Sequence, residues 1–451
     1  MSTSRLLKWM LHPARGGRTR AAACALGVMA SLVQVACSGP SDSVPTDAIT
    51  VGAVLPFTGD ESAIGANLEQ ALILATEDVN RAGGVDGRPL RLLTRDSNSG
   101  SARGLDEALE LLYVDQVGYL IGPEEDDLAN EIAPDIKGLD TFNVLPGYSA
   151  PPVERVVGTG AWLRLAPSPA AIGCALARQL RDDAVETANA LVEFGDYNST
   201  LAAEFNAQFA RAGGRVVPSV TVGTSRDSYV EDVREAFEYD ADRTLLIAAP
   251  ASAATIVTEW AIGGRGAWHL SPALHADGFL LNVPYGALDG FQGLSPSLSL
   301  ADECEIPDSE YRGEVACTRT NASAFADHYA ARWDGDRPFP AAHFYYDAIV
   351  LLALGLNYGV AERGQLPSPR ELRGAVRELS AAPDATADWR DLDSALSLVR
   401  GGSPARYRGA AAEYEFDRYG AAQHTIFDTW RISQHHFVDS GSLVAWCPRN
   451  L

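Results

Sequence analysis

The sequence predicts an α/β protein with two doubly wound, parallel-sheet lobes. Short apolar runs that resemble strands alternate with amphipathic helical segments from residue 48 onward. This alternation occurs as two separate sets, one before and one after residue 166, and a chain of 451 residues is long enough for two or three domains. Apolar strands separated by amphipathic helices are typical of parallel sheets that helices cover on both faces.

The first set of elements begins immediately after a polar segment. Apolar residues at positions 64, 68, 71, 72, 75 and 79 recur at helical spacing, and Gly83-Gly84 supplies the left-handed backbone that often ends a helix. The predicted order is a strand at 49–57, a helix over 64–79, a strand at 90–94, a helix at 105–114 and a strand at 117–121.

The second set follows a predicted crossing near residues 162–166. Its strands are predicted at 188–194, 216–222 and 244–249, and its helices at 201–212, 229–239 and 253–263. Later elements are a strand at 287–294, helices at 322–333, 341–358 and 369–379, and strands at 412–416 and 425–432. Residues 384–404 show no strong period and are predicted to be an insertion.

Composition excludes several classes of protein. Hydrophobic residues make up 46% and charged residues 21% of the chain, as in ordinary globular proteins, so collagen and coiled coils are excluded. The formal charge is −23, from 36 basic and 59 acidic side chains. Such a surface repels phosphate backbones, and we therefore expect no nucleic-acid partner.

The N-terminal 36 residues have the pattern of an export signal. A basic lead precedes a mostly apolar run over 21–36 that is short for a membrane span. The run ends at Val35-Ala36-Cys37, which resembles the cleavage box of bacterial lipoproteins, although Gln34 stands where an aliphatic residue is usual. The resemblance implies lipidation of Cys37 and a membrane-anchored, periplasmic or cell-surface protein; ordinary secretory cleavage and an uncleaved anchor are the alternatives. Residues 37–47 are polar and are predicted to form a flexible tether, and no later segment is predicted to span a membrane.

Cysteines outside the cytoplasm tend to form disulfides. Cys174, Cys304, Cys317 and Cys447 remain after Cys37, and four cysteines allow three pairings. Cys304 and Cys317 flank a polar loop, so we predict that they pair locally and leave Cys174 for Cys447.

The stretch from residue 51 to residue 122 resembles the type I periplasmic solute-binding proteins, in the branch named for branched-chain amino-acid binding. The resemblance is carried by Leu-Pro-Phe-Thr-Gly at 55–59, Asp-Val-Asn-Arg-Ala-Gly-Gly-Val-Asp-Gly-Arg-Pro-Leu at 78–90, and Ile-Gly-Pro at 121–123. Further matches are Tyr-Asp-Ala at 346–348 and Tyr-Arg-Gly at 407–409. The family implies a three-segment hinge, with lobe I at 48–165 plus 300–400 and lobe II at 166–299 plus 405–451.

The family also implies a ligand in the cleft between the lobes. Four positions match head-group loops of the first lobe: Asp126, where the family commonly has Ser, and Gly147, Tyr148 and Ser149 in the next loop. Capping of a helix is the alternative role of Asp126, and a local turn is that of Ser149.

In the second lobe, Tyr197 matches an aromatic residue that lines the cleft, with packing as its alternative role. The family's acidic partner for a ligand amine would lie near Ser225 and is absent. His275 and Asp277 are further candidates for the cleft, although a surface turn is the favoured interpretation. His435 and His436 lack the spacing of metal ligands, so a solvated strand end is favoured.

Motifs of known enzyme classes are missing from the sequence. It contains no phosphate-binding Gly-x-x-x-x-Gly-Lys loop, no His-Glu-x-x-His and no Gly-x-Ser-x-Gly. We therefore expect a monomeric binding protein with no enzymatic activity, cofactor or metal. The leading hypothesis is delivery of a small polar solute, such as an amino acid or amide, to the permease of an ABC transporter. The alternative is a sensory or regulatory module that acts on a protein partner.

Overall fold

The computed structural model describes residues 47–59, 62–147, 162–307, 313–382, 385–417, 420–423 and 426–445. The predicted export signal, Cys37 and the tether up to residue 46 lie outside the described residues. The chain from Pro45 to Leu451 forms one compact unit.

The first sheet is parallel, and its five strands lie within residues 49–164. Its strands are β1 (Ile49–Leu55), β2 (Leu90–Asp96), β3 (Tyr119–Ile121), β4 (Phe142–Leu145) and β5 (Trp162–Arg164), in the spatial order β2-β1-β3-β4-β5. The connections are α1 (Ser62–Arg81), α2 (Ser101–Leu109), a π-helical turn (Glu110–Val114) and α3 (Asp126–Leu139). The alternation predicted for this part of the chain is confirmed.

The second sheet begins after α4 (Pro169–Asp182). Its first strands are β6 (Thr187–Glu193), β7 (Arg215–Val216), β8 (Val220–Val222), β9 (Arg243–Ile247), β10 (Trp268–Leu270) and β11 (Gln292–Pro296). They alternate with α5 (Asp196–Arg211), α6 (Val230–Ala236), α7 (Pro250–Gly263) and α8 (Asp277–Leu280). The predicted strand at 216–222 is divided because Pro218 has no N–H to donate to a neighbouring strand. The strand predicted at 287–294 starts at Gln292 instead, after glycines 286 and 290 turn the chain with φ of 75° and 90°.

The remaining chain completes the second sheet, adds a separate two-stranded sheet, and supplies helices that pack beside the first sheet. It forms β12 (Gly313–Val315), α9 (Thr320–Arg332), α10 (Pro340–Arg363), α11 (Pro369–Ser380), β13 (Thr386–Asp388), α12 (Leu392–Arg400), β14 (Arg406–Arg408), β15 (Ile426–Ser433) and β16 (His436–Val444). The second sheet has the order β12-β16-β15-β11-β10-β9-β6-β7, with β8 also paired to β6, and β13 and β14 form the two-stranded sheet. β15, β16 and β12 are antiparallel to their neighbours, so this sheet is mixed at one edge. Residues 412–416, predicted as a strand, make only isolated bridges.

Helix α10 is the central core element beside the first sheet. Its length and apolar composition would allow it to cross a membrane, which corrects the expectation that no segment after the signal has this property. However, 89% of its most apolar stretch is buried inside the fold, where it packs against α1, α11 and α12. We conclude that α10 is a core helix.

The predicted insertion at 384–404 is wrong. This segment contains β13 and α12, and the side chains Leu392, Ala395, Leu396 and Val399 of α12 are buried in the same apolar cluster as α10. These four residues follow the i, i+3, i+4, i+7 pattern of an amphipathic helix. The segment is therefore part of the core.

Three segments of the described chain cross between the two sheets. They are residues 165–168 after β5, residues 297–299 after β11, and residues 420–423 before β15. Backbone hydrogen bonds join them: Arg164 N–H donates to Gly420 O (2.8 Å), Ala422 N–H to Arg164 O (2.9 Å), and Ser297 N–H to Ile426 O (3.1 Å). These three crossings confirm the predicted hinge. We call the first sheet with its helices the first half, and the second sheet with its helices the second half.

The disulfide predicted between Cys304 and Cys317 is present, with a Cα–Cα distance of 4.1 Å. Cys174 is also disulfide-bonded. Its predicted partner, Cys447, lies outside the described residues.

Candidate functional site

The two sheets direct their carboxyl ends toward the hinge region. The crossing at 165–168 leaves the carboxyl end of β5, and the crossing at 297–299 leaves that of β11. The loops that follow β1 to β4 in the first half and β6, β9 and β10 in the second half therefore border a common crevice. In open α/β sheets, ligands bind at this edge.

The loop after β1 is fixed by the end of β2. The Asp96 carboxylate accepts hydrogen bonds from the backbone N–H groups of Phe57 (3.0 Å) and Thr58 (3.1 Å) and from the Thr58 hydroxyl (2.7 Å). Burial alone would raise the pKa of Asp96, but these hydrogen bonds outweigh it and hold the pKa below its ordinary value. Asp96 is thus an ionised carboxylate that shapes the first wall of the crevice.

Glu124 follows β3 and lies between two other elements. Its Oε2 accepts a hydrogen bond of 2.8 Å from the Tyr345 hydroxyl of α10. The same oxygen lies so close to Gly147, just after β4, that a Cβ placed there would be 2.1 Å away. Gly147 therefore lies directly beside the Glu124 carboxylate, and its lack of a side chain makes room for that group. Sequence reasoning did not select Glu124, since the Tyr345 contact joins residues 221 positions apart.

Glu125 and Asp126 form the start of α3. Glu125 occupies the capping position, and its carboxylate accepts a hydrogen bond from the Ser97 hydroxyl. Burial raises the pKa of Glu125, and within the described part of the chain its Oε2 is buried without a hydrogen-bond partner. Asp126 is the first helical residue rather than the cap, and its side chain lies outside the described set. The other two residues predicted in the next loop, Tyr148 and Ser149, also lie outside the described residues.

The second half contributes the start of α5 to the crevice. Tyr197 lies in the first turn of this helix and is partly buried against the apolar cluster of α4, α5 and β6. Its neighbour Asp196 accepts a hydrogen bond of 3.4 Å from the Asn130 side chain of α3. This contact joins the two halves. It lies beside β6, and β9 and β10 separate β6 from β11, so the contact is away from the hinge.

Glu193, at the end of β6, accepts hydrogen bonds from a neighbouring loop and helix. Its carboxylate accepts hydrogen bonds from Ala249 N–H (2.7 Å) and from the Ser252 hydroxyl (2.6 Å) at the start of α7. Carboxylates stabilise helix N-termini by accepting from their free N–H groups. The buried Glu193 therefore orders the β9–α7 loop beside the crevice.

His275 lies after β10 and packs against the edge of the second sheet. Its ring stacks on Trp430, with centroids 4.7 Å apart, and Nδ1 lies 3.1 Å from the Ser295 hydroxyl. Asp277 is the first residue of α8, and its side chain is outside the described set. His435 lies in the turn between β15 and β16, and the exposed His436 begins β16. No group of three or more His, Cys, Asp or Glu among the described residues is arranged to hold a metal ion.

Two α/β halves, three hydrogen-bonded crossings and a crevice at the carboxyl ends of both sheets define the type I periplasmic binding protein class. A family model described as periplasmic binding protein matches residues 48–395. The chain belongs to this family, which implies an extracytoplasmic location and binding of a small molecule.

Individual relatives agree with this class. The chemotactic signal transduction system substrate-binding protein BasB of Halobacterium salinarum is 24% identical over 377 residues, which cover 81% of this chain and 83% of BasB. The leucine-binding protein LivK of Thermotoga maritima has a TM-score of 0.67 at 15% identity, covering 88% of this chain and 99% of its own. LivJ of Streptococcus pneumoniae, a branched-chain amino acid transporter substrate-binding protein in complex with isoleucine, has a TM-score of 0.66 at 15% identity, with 88% and 99% coverage.

Proposed function

We propose that this protein captures a small polar solute in the crevice between its halves and delivers it to the permease of an ABC transporter. The observation that carries the proposal is the crevice itself, bordered by the carboxyl ends of both sheets in a chain of the periplasmic binding protein family. The solute class is an amino acid, an amide or a related compound. A lipid anchor at Cys37 would keep the protein beside the permease.

Closure of the two halves would couple binding to delivery. A ligand that contacts both halves binds the closed state more tightly and shifts the population toward it. The hinge consists of a few segments that absorb the rotation, as in other hinge-bending proteins. A permease that recognises the closed form would then accept only loaded protein.

The described edge of the first half is rich in hydrogen-bond acceptors. Asp96, Glu124 and Glu125 lie at the carboxyl ends of β2 and β3, and a bare ligand carboxylate beside them would meet repulsion. Amide N–H or ammonium groups would instead be attracted by these carboxylates, which already bind donors of the protein itself. This supports a solute that presents nitrogen donors to the first half.

A thermal-shift screen of residues 38–451 against amino acids, amides, polyols and short peptides tests the proposal. A ligand present at about a hundredfold its dissociation constant adds about 2.7 kcal/mol to the free energy of unfolding. We expect a nitrogen-bearing compound to raise the melting temperature. Silence across the whole panel would contradict solute capture.

Substitution of Gly147 tests the location of the site. In Gly147→Ala the new methyl group would displace the Glu124 carboxylate, and we expect weaker binding of any solute found, measured by isothermal titration calorimetry. Gly138→Ala is the matched control, because nothing lies within 4 Å of a Cβ at that position. Equal affinities in the two variants would remove Gly147 and Glu124 from the site.

The match to BasB supports a second function, in which closure signals to a protein partner. BasB is named as a substrate-binding protein of a chemotactic signal transduction system. Solute-dependent recovery of a membrane receptor with the tagged protein would favour this role. Recovery of a permease would favour transport.

A further inference from the structure

The chain makes a detour between β11 and α9 that touches both halves. After the crossing at 297–299 it forms a short 3-10 turn (Ala301–Glu303), continues through Cys304, and returns through β12 and Cys317 to Arg319. We call residues 301–307 and 313–319 the strap.

The base of the strap is bound to the first half. Asp302 forms an ion pair with Arg408 of β14, with both carboxylate oxygens 2.7 Å from the guanidinium. The Glu303 carboxylate accepts a hydrogen bond of 2.6 Å from Asn321 N–H and another from the Thr320 hydroxyl at the start of α9. These charged contacts fix the base against elements that pack on the first sheet.

The outer part of the strap is a strand of the second sheet. β12 pairs with β16 in antiparallel register, with Gly313 opposite Val444 and Val315 opposite Ser442. Backbone hydrogen bonds tie the outer part to the base, from Glu305 N–H to Ala316 O (2.8 Å) and from Thr318 N–H to Glu303 O (2.9 Å). The Cys304–Cys317 disulfide joins the same two segments covalently.

Arg319 provides a second link from the first half to the second. It precedes α9 in a left-handed conformation, with φ of 55°. Its guanidinium donates to Asp428 of β15 (3.1 Å) and to Ser442 of β16 (3.4 Å), and it forms an ion pair with Asp439. A residue at the start of a first-half helix therefore binds side chains on two strands of the second sheet.

We propose that the strap is a fourth connection between the halves, which restrains how far the crevice opens. In the second sheet, β15, β16 and β12 lie on one side of β11. β6 lies on the other side of β11, and the helix that follows it carries Asp196 of the Asn130–Asp196 contact. A rotation about the crossings beside β11 that separates Asn130 from Asp196 must also displace the strap from one of its two anchorages. The strap contacts consequently favour the interlobe angle seen in this structure.

The inference rests on the hinge motion in the proposed function, but its test requires no ligand. Fluorophores are attached through non-natural amino acids at Val114 in the first half and Ile262 in the second, which are 72% and 85% exposed. Single-molecule energy transfer then reports the distance between the halves in the ligand-free protein. We expect Arg319→Ala and Asp439→Ala to lengthen the mean distance and broaden its distribution.

Arg332→Ala is the matched control. Arg332 pairs with Glu77 at 2.8 Å, so this change removes an arginine ion pair that lies wholly within the first half. A Cys304→Ser/Cys317→Ser variant that folds should show the same shift as Arg319→Ala. The proposal would be overturned if Arg319→Ala and Asp439→Ala gave the same distance distributions as Arg332→Ala and the unaltered protein.

A ligand, once identified, gives an independent readout. If the Arg319→Ala change lowers the closed population of the free protein about fivefold, the apparent dissociation constant rises about fivefold. Failure of the solute screen would contradict the proposed function and leave the distance measurement valid. An unchanged distance with a confirmed solute would remove the strap proposal alone.

Discussion

Asp347 shows how one buried side chain positions a whole loop. It lies fully buried in α10, and its carboxylate accepts hydrogen bonds of 2.7 Å from the Tyr407 and Tyr414 hydroxyls. The backbone N–H groups of Ala410 (2.7 Å) and Ala411 (2.8 Å) donate to it as well. Burial raises the pKa of Asp347 from 3.8 to about 6, although these hydrogen bonds lower it in part. The carboxylate thus joins α10 to the chain that leads into the third crossing.

Because the pKa of Asp347 is higher in the folded than in the unfolded protein, its contribution to stability is complete below about pH 4. The contribution is lost as the pH rises through about 6, and the difference corresponds to about 3 kcal/mol. We expect Asp347→Asn to lack this change because its amide does not titrate, and to be less stable at pH 7, where the amide cannot accept from all four donors that the ionised carboxylate binds. Urea unfolding between pH 4 and pH 7 measures both effects. Asp327→Asn is the control, because the Asp327 side chain is 77% exposed. If the stability of Asp347→Asn changed with pH in the same way as that of the unaltered protein, Asp347 would not be the group that titrates.

Residue contacts of this kind were only partly predictable. The resemblance marked Tyr-Asp-Ala at 346–348 and Tyr-Arg-Gly at 407–409, but no local pattern indicates that Asp347 and Tyr407 meet. The Glu124–Tyr345 contact likewise depends on how α10 packs against the first sheet. The resemblance assigned Gly147 to a head-group loop, and the structure shows that it follows β4; its role in ligand binding stays a prediction.

Among the elements, α12 is the helix that the sequence analysis interpreted as an insertion. Its apolar residues have helical spacing, but the segment has only nine residues and follows a polar stretch, so the period was missed. β16 was missed for another reason. Gln434 and His435 turn the chain with φ of 50° and 63°, and this pair differs from the Asn-Gly or Asp-Gly sequence that usually marks a two-residue hairpin.

We expect Leu396→Ala to destabilise the protein by about 2–5 kcal/mol, the usual cost of removing a buried leucine side chain. Leu396 is fully buried in the cluster that contains α10. Chemical denaturation measures the change in the free energy of unfolding. Ser397→Ala, at an exposed position of the same helix, should change it by less than about 0.5 kcal/mol. A comparable small effect for Leu396→Ala would restore the interpretation of this segment as an insertion.

At the scale of the whole molecule, the two-half architecture was the most predictable feature. Among the long elements, α1 and α11 are amphipathic, whereas β1 and α10 are almost continuously apolar, and the alternation of such strands and helices indicates parallel sheets. The antiparallel edge of the second sheet was not predicted, because the pairings of β12 with β16 and of β11 with β15 join segments more than 100 residues apart. The interlobe contacts of Arg319 depend on that edge and were equally inaccessible from the sequence.

The lipid anchor proposed at Cys37 is tested by cell fractionation. The protein should sediment with membranes when expressed in a bacterium with a lipoprotein pathway, and Cys37→Ala should release it into the soluble extracytoplasmic fraction. Incorporation of a radiolabelled fatty acid into the unaltered protein, and not into the variant, is the second readout. Membrane association that survives the substitution would favour an uncleaved N-terminal anchor.

The discontinuous construction of the first half has a consequence for biogenesis. α1 packs against α10, and Tyr346 of α10 donates a hydrogen bond to Asp78 across 268 residues of sequence. A ribosome therefore releases β1 to β5 long before the helix that covers them exists, and the nascent chain exposes apolar strands meanwhile. We expect the first half to stay unfolded until α10 has been synthesised, which would keep the chain able to pass through a secretory channel.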